Sequence, residues 1–160
     1  MRWTSSFNHT MFRVKDPKAS LKFCASVRKA FGDASRRTGS SGLKDFLAFD
    51  HSNGKEDEEA KKANRFAREG ILELTHNHGT ENEPNFSYSS GNEDPGRGFG
   101  HIAISVDDVQ KACDRFEELG VQFKKRPQDG RMRHIAFIYD PDGYWIEIGS
   151  ACLLFDTRLC

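Results

Sequence analysis

The sequence predicts an α+β protein assembled from two copies of one small unit, and three observations carry that prediction. First, Asn8-His9-Thr10-Met11-Phe12-Arg13-Val14-Lys15-Asp16 returns as Gly100-His101-Ile102-Ala103-Ile104-Ser105-Val106-Asp107-Asp108, with His, Val and Asp in the same register. Second, each copy alternates as a half-buried strand does and then passes through an aspartate into a helix-like stretch. Third, each half closes on a strand with a glutamate among apolar neighbours, Ile71-Leu72-Glu73-Leu74 and Trp145-Ile146-Glu147-Ile148.

The helices fall at 17–27 and 109–119, with Asp16 and Asp108 as N-caps, because an aspartate oxygen can accept the unpaired amides of a first helical turn. Ala112, Phe116 and Leu119 stand at helical spacing, and Gly120 is a C-terminal stop. Asp140-Pro141-Asp142-Gly143 has the chemistry of a tight reversal between strands at 135–139 and 144–148. The second half therefore reads β-α-β-β-β. In the first half, 28–45 is basic, rich in Gly and Ser and without alternation, so it reads as irregular loop, and strand character resumes at Phe46-Leu47-Ala48-Phe49. Residues 55–68 are charged and contain alanines, as in a solvated helix; 77–98 is a long functional or linking loop. The resulting organisation is a first module at 7–76, the loop at 77–98, a second module at 99–149 and a tail at 150–160.

A chain of 160 residues, 36% hydrophobic and 30% charged, can bury the core of one domain or two small ones. Lys and Arg total 24 and Asp and Glu total 24, so the net charge argues against nucleic acid or an anionic membrane as partner and makes any charge recognition local. No run approaches the ~20 apolar residues of a membrane span, and Met1-Arg2-Trp3-Thr4-Ser5-Ser6 lacks the apolar stretch of a secretory signal, so a cytoplasmic setting is expected. Cys24, Cys113, Cys152 and Cys160 lack zinc-finger spacing and read as free thiols.

A histidine on one strand and a glutamate on another, repeated, give two imidazoles and two carboxylates. Such a set suits a mixed N/O site for a divalent transition metal with positions left for water or substrate. The members lie too far apart in sequence for a local motif, so only a fold brings them together. Taken singly, each has a simpler reading, as a hydrogen-bonded strand histidine or a solvent-facing glutamate. The duplication is what favours a ligand set.

Five blocks in order, Phe7 to Pro17, Leu72-Glu73-Leu74-Thr75-His76-Asn77, Arg97-Gly98-Phe99-Gly100-His101-Ile102, Phe116-Glu117-Glu118-Leu119-Gly120-Val121 and Asp140 to Ile148, resemble glyoxalase I, the lactoylglutathione lyase family of the vicinal-oxygen-chelate superfamily. The resemblance implies two βαβββ modules curling into an incomplete barrel around a metal, with His9, Glu73, His101 and Glu147 as ligands. Relatives carry Gln or His at the position of His9. Members with a long insertion like 80–97 are usually zinc enzymes, so zinc is expected, with nickel or cobalt as alternatives. The implied reaction converts the hemithioacetal of methylglyoxal and glutathione into S-D-lactoylglutathione. Removing the C1 proton builds an enediolate whose negative oxygens need a cation. Glu147 is the candidate base, and Glu73 serves the opposite face or the other enantiomer. By the same resemblance Arg13, Asn77 and Arg97 surround the γ-glutamyl end of glutathione, Lys125 and Arg131 its glycyl carboxylate, and Met132 packs near the substrate. A homodimer is implied in which His9 and Glu73 of one chain meet His101 and Glu147 of the other.

The segment 28–45 departs from the family, whose members carry there the start of a second strand with apolar residues lining the substrate's hydrophobic wall. The other functions in view are a non-heme iron dioxygenase of the same superfamily and an inactive or binding-only member.

Overall fold

The strand β1 (His9–Val14) runs parallel to β4 (Ile71–His76), and β5 (His101–Val106) runs parallel to β8 (Trp145–Ser150). A parallel pair cannot close with a hairpin, so each is joined by a long excursion that contains a helix and two further strands. In the first these are α1 (Pro17–Phe31), β2 (Ala34–Thr38), β3 (Lys44–Phe49) and α2 (Glu58–Ala63); in the second, α3 (Val109–Glu118), β6 (Phe123–Lys125) and β7 (Ala136–Tyr139). A computed structural model describes residues 5–31, 34–38, 44–49, 55 and 57–150. Among them the strand orders are β1-β4-β3-β2 and β5-β8-β7-β6, the same topology twice. The α+β fold class and the paired βαβββ modules are as the sequence predicts.

Aspartates form the caps, Asp16 and Asp108 as the sequence predicts and Asp57 in addition. Asp16 accepts the Lys18 amide at 2.8 Å, Asp108 that of Lys111 at 3.0 Å, and Asp57 that of Ala60 at 2.8 Å. Gly120 takes φ +70° just beyond α3, a left-handed conformation that suits glycine at a helix end. The charged stretch at 55–68 is helical over a shorter span than its composition suggests, with α2 followed by a 3-10 turn at Arg65–Ala67.

One sequence reading needs correction. The stretch 28–45, read as irregular, contains the end of α1 and the strand β2, which pairs antiparallel with β3 from Ala34 opposite Phe49 to Thr38 opposite Asp45. Pairing uses backbone amides and carbonyls, so it does not require side-chain alternation, and β2 is the last strand of its sheet, where only one side needs a partner. Residues 32–33 and 39–43 of that stretch, and the tail beyond 150 with Cys152 and Cys160, lie outside the described residues. Cys24 and Cys113 are free thiols, as expected.

The chain divides into two compact units, one reaching to Phe86, the other taking Ser87 onward together with Lys22–Ala30 of α1. In the first, Phe12, Val14, Ile71 and Leu74 are buried. In the second, α3 lies against β8, and Ala112, Cys113 and Phe116 are buried with Val106, Ala136, Ile138, Ile146 and Ile148. Strand alternation makes this decisive for function: the register that buries Phe12 and Val14 turns His9, Met11 and Arg13 to the other face. Among the described residues no helix is long and apolar enough to cross a membrane.

The reversal before β8 is built on Asp140, whose carboxylate accepts the amides of Asp142 at 3.0 Å and Tyr144 at 2.8 Å, with Gly143 at φ +83°. Burial pushes the Asp140 carboxyl up to about 7, against the lowering effect of the Tyr144 amide. An unfolded aspartate titrates near 3.9, so the folded chain binds the extra proton between about pH 4 and pH 7, and the stability it contributes at low pH is lost as pH rises through that window. Asp140→Asn keeps the acceptor oxygen without the charge. Urea midpoints measured from pH 4 to pH 8 should fall less with rising pH in Asp140→Asn than in wild type.

Candidate metal centre and substrate-binding residues

Parallel register fixes the first pair of donors. Met11 lies opposite Glu73, so His9, Met11 and Arg13 share a face with Ile71, Glu73 and Thr75. His9 Nε2 stands 3.3 Å from Glu73 Oε2, and the Thr75 hydroxyl donates to Glu73 Oε1 at 3.3 Å. Glu73 is buried, whereas the His9 ring is about one-third exposed, with a side-chain accessibility of 35%. Phe46, opposite Glu73 on β3, presents its ring edge-on to His9 at 6.4 Å between centroids, and the Arg65 guanidinium covers the Phe46 ring at 4.1 Å.

The second unit repeats the arrangement. Ala103 lies opposite Glu147, which places His101 and Glu147 on one face, and His101 Nε2 stands 3.0 Å from Glu147 Oε2. Phe137, opposite Glu147 on β7, meets the His101 ring edge-on at 5.1 Å, as Phe46 meets His9. The duplicated placement in the sequence singled out the two histidines and two glutamates; the flanking phenylalanines escaped it, although each is the strand residue paired with the glutamate.

Donors held about 2.0–2.2 Å from one divalent ion, at angles of about 90–110° to each other, lie about 3.0–3.4 Å apart. The two His–Glu separations fall in that range, and imidazole with carboxylate is a donor set that suits zinc, nickel or cobalt. Each His–Glu pair therefore fits two positions on a divalent cation. Among the described residues no three His, Cys, Asp or Glu side chains gather as one group.

The residues assigned to glutathione fall in several places. Arg13 donates to the Asn77 side-chain carbonyl at 3.3 Å, so this part of the expected cluster comes together at the end of β4. The corner beyond it is braced. His76 Nε2 stands 2.7 Å from Glu81 Oε2, the Gly79 amide donates to the same oxygen, and the Thr80 hydroxyl donates to the Asn77 and Lys15 carbonyls. Glu81's own amide, then His76 and the Gly79 amide, hold its carboxyl below the usual range against desolvation. Neither His76 nor Glu81 stood out in the sequence; a histidine five residues before a glutamate across a glycine is the only signal. Arg97 is exposed and paired with Asp94 at 3.0 Å. Met132 and Arg131 are exposed on the loop between β6 and β7.

Lys125, expected beside the glycyl carboxylate, directs its ammonium at three carbonyls of that loop: Arg126 at 3.1 Å, Met132 at 2.6 Å and Ile135 at 2.9 Å. An ammonium has three protons, so these bonds engage all of them. Its place in this structure is a brace that shapes the loop carrying Arg131 and Met132.

Residues 6–148 match the Glyoxalase/Bleomycin resistance protein/Dioxygenase superfamily, and the chain belongs to it. Within that superfamily several similar relatives are named for one activity. The chain is 49% identical to a lactoylglutathione lyase of Pseudomonas putida, over 89% of this chain and 83% of that protein, and 43% identical to one of Schizosaccharomyces pombe, over 89% of this chain and 44% of the longer yeast protein. Among solved structures, glyoxalase I from Zea mays aligns with a TM-score of 0.59 at 28% identity, over 89% of this chain and 43% of that one. A Leishmania major glyoxalase I shares the fold, with a TM-score of 0.64 at 24% identity, over 97% and 93% of the two chains.

The Lys125 brace makes a direct prediction. Lys125→Met should leave three loop carbonyls unpaired, lower the unfolding free energy by about 1–3 kcal/mol, and speed amide exchange across 126–135 while β5 and β8 stay protected.

Proposed function

We propose that this chain is a lactoylglutathione lyase that isomerises the hemithioacetal of methylglyoxal and glutathione to S-D-lactoylglutathione. The observation that carries the reading is the duplicated His–Glu pair, held at the separation of two ligands on one ion on equivalent faces of two βαβββ units. Relatives named for this reaction, at up to 49% identity, support it.

His9, Glu73, His101 and Glu147 would hold one divalent cation per site, zinc by the resemblance of the 80–97 insertion to that of long-loop members. When bound, the cation supplies positive charge beside the oxygens that become negative as the C1 proton leaves. Glu147 takes that proton. The electron pair of the broken C–H bond forms the C1–C2 double bond, and the carbonyl pair moves to its oxygen. Glu147 then returns the proton to C2, whose new C–H bond takes the electron pair of the C1–C2 double bond, while the hydroxyl proton on the C1 oxygen passes to the C2 oxygen, leaving a thioester carbonyl at C1 and a hydroxyl at C2. Glu73, equivalent by register, serves the opposite face or the other enantiomer. Arg13 and Asn77 bind the γ-glutamyl end together with Arg97, and Arg131 and Met132 meet the glycyl end on the loop that Lys125 shapes. The setting is cytoplasmic, where glutathione is abundant.

The active form is a homodimer with shared sites, as the resemblance to glyoxalase I implies, each module contributing one His–Glu pair. Two-fold symmetry then gives two sites, each with His9 and Glu73 from one protomer and His101 and Glu147 from its partner. Glu73→Gln and Glu147→Gln, each inactive alone, should recover about a quarter of wild-type turnover when co-refolded in equal amounts, since half the dimers are mixed and each carries one intact site. Growth of the thioester absorbance with methylglyoxal and glutathione reads this out. No recovery would sink the shared site, and full activity in Glu147→Gln would remove it as the base.

Arg13 faces a remote carboxylate rather than the reacting carbons, so it provides binding felt equally in ground and transition states. Arg13→Ala should raise KM about 10- to 100-fold while kcat changes little. An unchanged KM in initial-rate assays would take Arg13 out of the pocket.

A further inference from the structure

We propose that Asn8 is a positioning residue that locks His9 in the Nδ1–H tautomer, so that the first unit offers a preset Nε2 donor to the metal while the second does not. The inference rests on the reading of His9 as a ligand and adds a division of labour between two pairs that look equivalent.

The geometry of Asn8 leaves one assignment. Its side-chain nitrogen donates to the Arg65 carbonyl at 3.0 Å and to the Arg68 carbonyl at 2.7 Å. Carbonyls only accept, so the amide NH2 must face them, and a flipped amide would set oxygen against oxygen twice. The amide oxygen therefore faces the ring, 2.8 Å from His9 Nδ1. An amide oxygen also only accepts, so Nδ1 carries the proton, and in the neutral ring the Nε2 lone pair points toward Glu73 Oε2 at 3.3 Å. Two electron-rich atoms facing each other at that distance are stabilised by a cation between them. The Asn8 backbone is fixed too, through the Ile71 amide donating to its carbonyl at 3.0 Å.

At the equivalent place the second unit has Gly100, which has no side chain, and among the described residues His101 Nδ1 meets no hydrogen-bonding partner. With nothing to hold the proton on Nδ1, His101 is free to carry it on Nε2 and donate to Glu147 Oε2 at 3.0 Å. The metal-free protein then holds two different tautomers: His9 ready to bind, and His101 needing to give up or move a proton first. Outer hydrogen bonds of this kind to a ligating histidine fix ring and tautomer and typically contribute 10- to 100-fold in metal affinity.

Long-range 1H–15N correlation spectra of the metal-free protein at alkaline pH, where imidazoles are neutral, separate the two forms. The expected result is a protonated Nδ1 in His9 and a protonated Nε2 in His101. In Asn8→Ala the His9 pattern should convert to that of His101, and the zinc dissociation constant from chelator competition should rise about 10- to 100-fold. A protonated Nε2 in wild-type His9, or an Asn8→Ala protein that keeps both tautomer and affinity, overturns the proposal. Because Asn8 also ties down Arg65 and Arg68, the variant could fail to fold; the wild-type comparison of His9 with His101 then decides alone. Wild type that binds no zinc and makes no thioester would sink the functional reading, whereas the tautomers are read without metal and test Asn8 separately.

Discussion

Everything chemical in this molecule depends on parallel pairing between the first and last strands of each module. Parallel register places Met11 opposite Glu73 and Ala103 opposite Glu147, so a histidine two residues earlier on the first strand falls beside the glutamate on the same face. A slip of one residue would turn the whole row to the other face, and the buried partners make that slip costly. Phe12 and Val14, or Ile146 and Ile148, would be exposed in exchange for a misplaced donor. The apolar face thus holds the reactive face in register.

Around that frame each histidine lies between a glutamate and an aromatic ring, and His9 also meets the Asn8 amide. Phe46 and Phe137 close one side of the two rings at similar edge-on geometry, and apolar walls weaken competition from water for a metal or a carboxylate. The modules differ just outside the pair, where Asn8 stands in one and Gly100 in the other. The two modules share the His–Glu pair and the strand order and differ in this outer contact.

Basic side chains are distributed over separate loops. Arg13 with Asn77 sits on a corner stiffened by His76, Glu81 and Thr80, and Arg131 rides on a loop that Lys125 holds by three carbonyls. Two basic residues close in sequence thus stand differently: Arg131 is exposed on the loop, whereas Lys125 is consumed in shaping its backbone.

By itself the sequence determined the duplication, the β-α-β-β-β order of the second half, the caps at Asp16 and Asp108, the turn at Asp140 and the identity of four metal-type donors, because period, capping and turn chemistry are local. It was silent on β2, whose pairing with β3 rests on backbone bonds that leave no alternating pattern in 34–38. Only the tertiary structure decided that His9 meets Glu73 and His101 meets Glu147, since those contacts span distant strands and follow from register. Only it assigned Lys125 to loop carbonyls and Asn8 to the His9 ring: a polar side chain has several partners open to it in sequence, and the folded backbone determines which one is within reach.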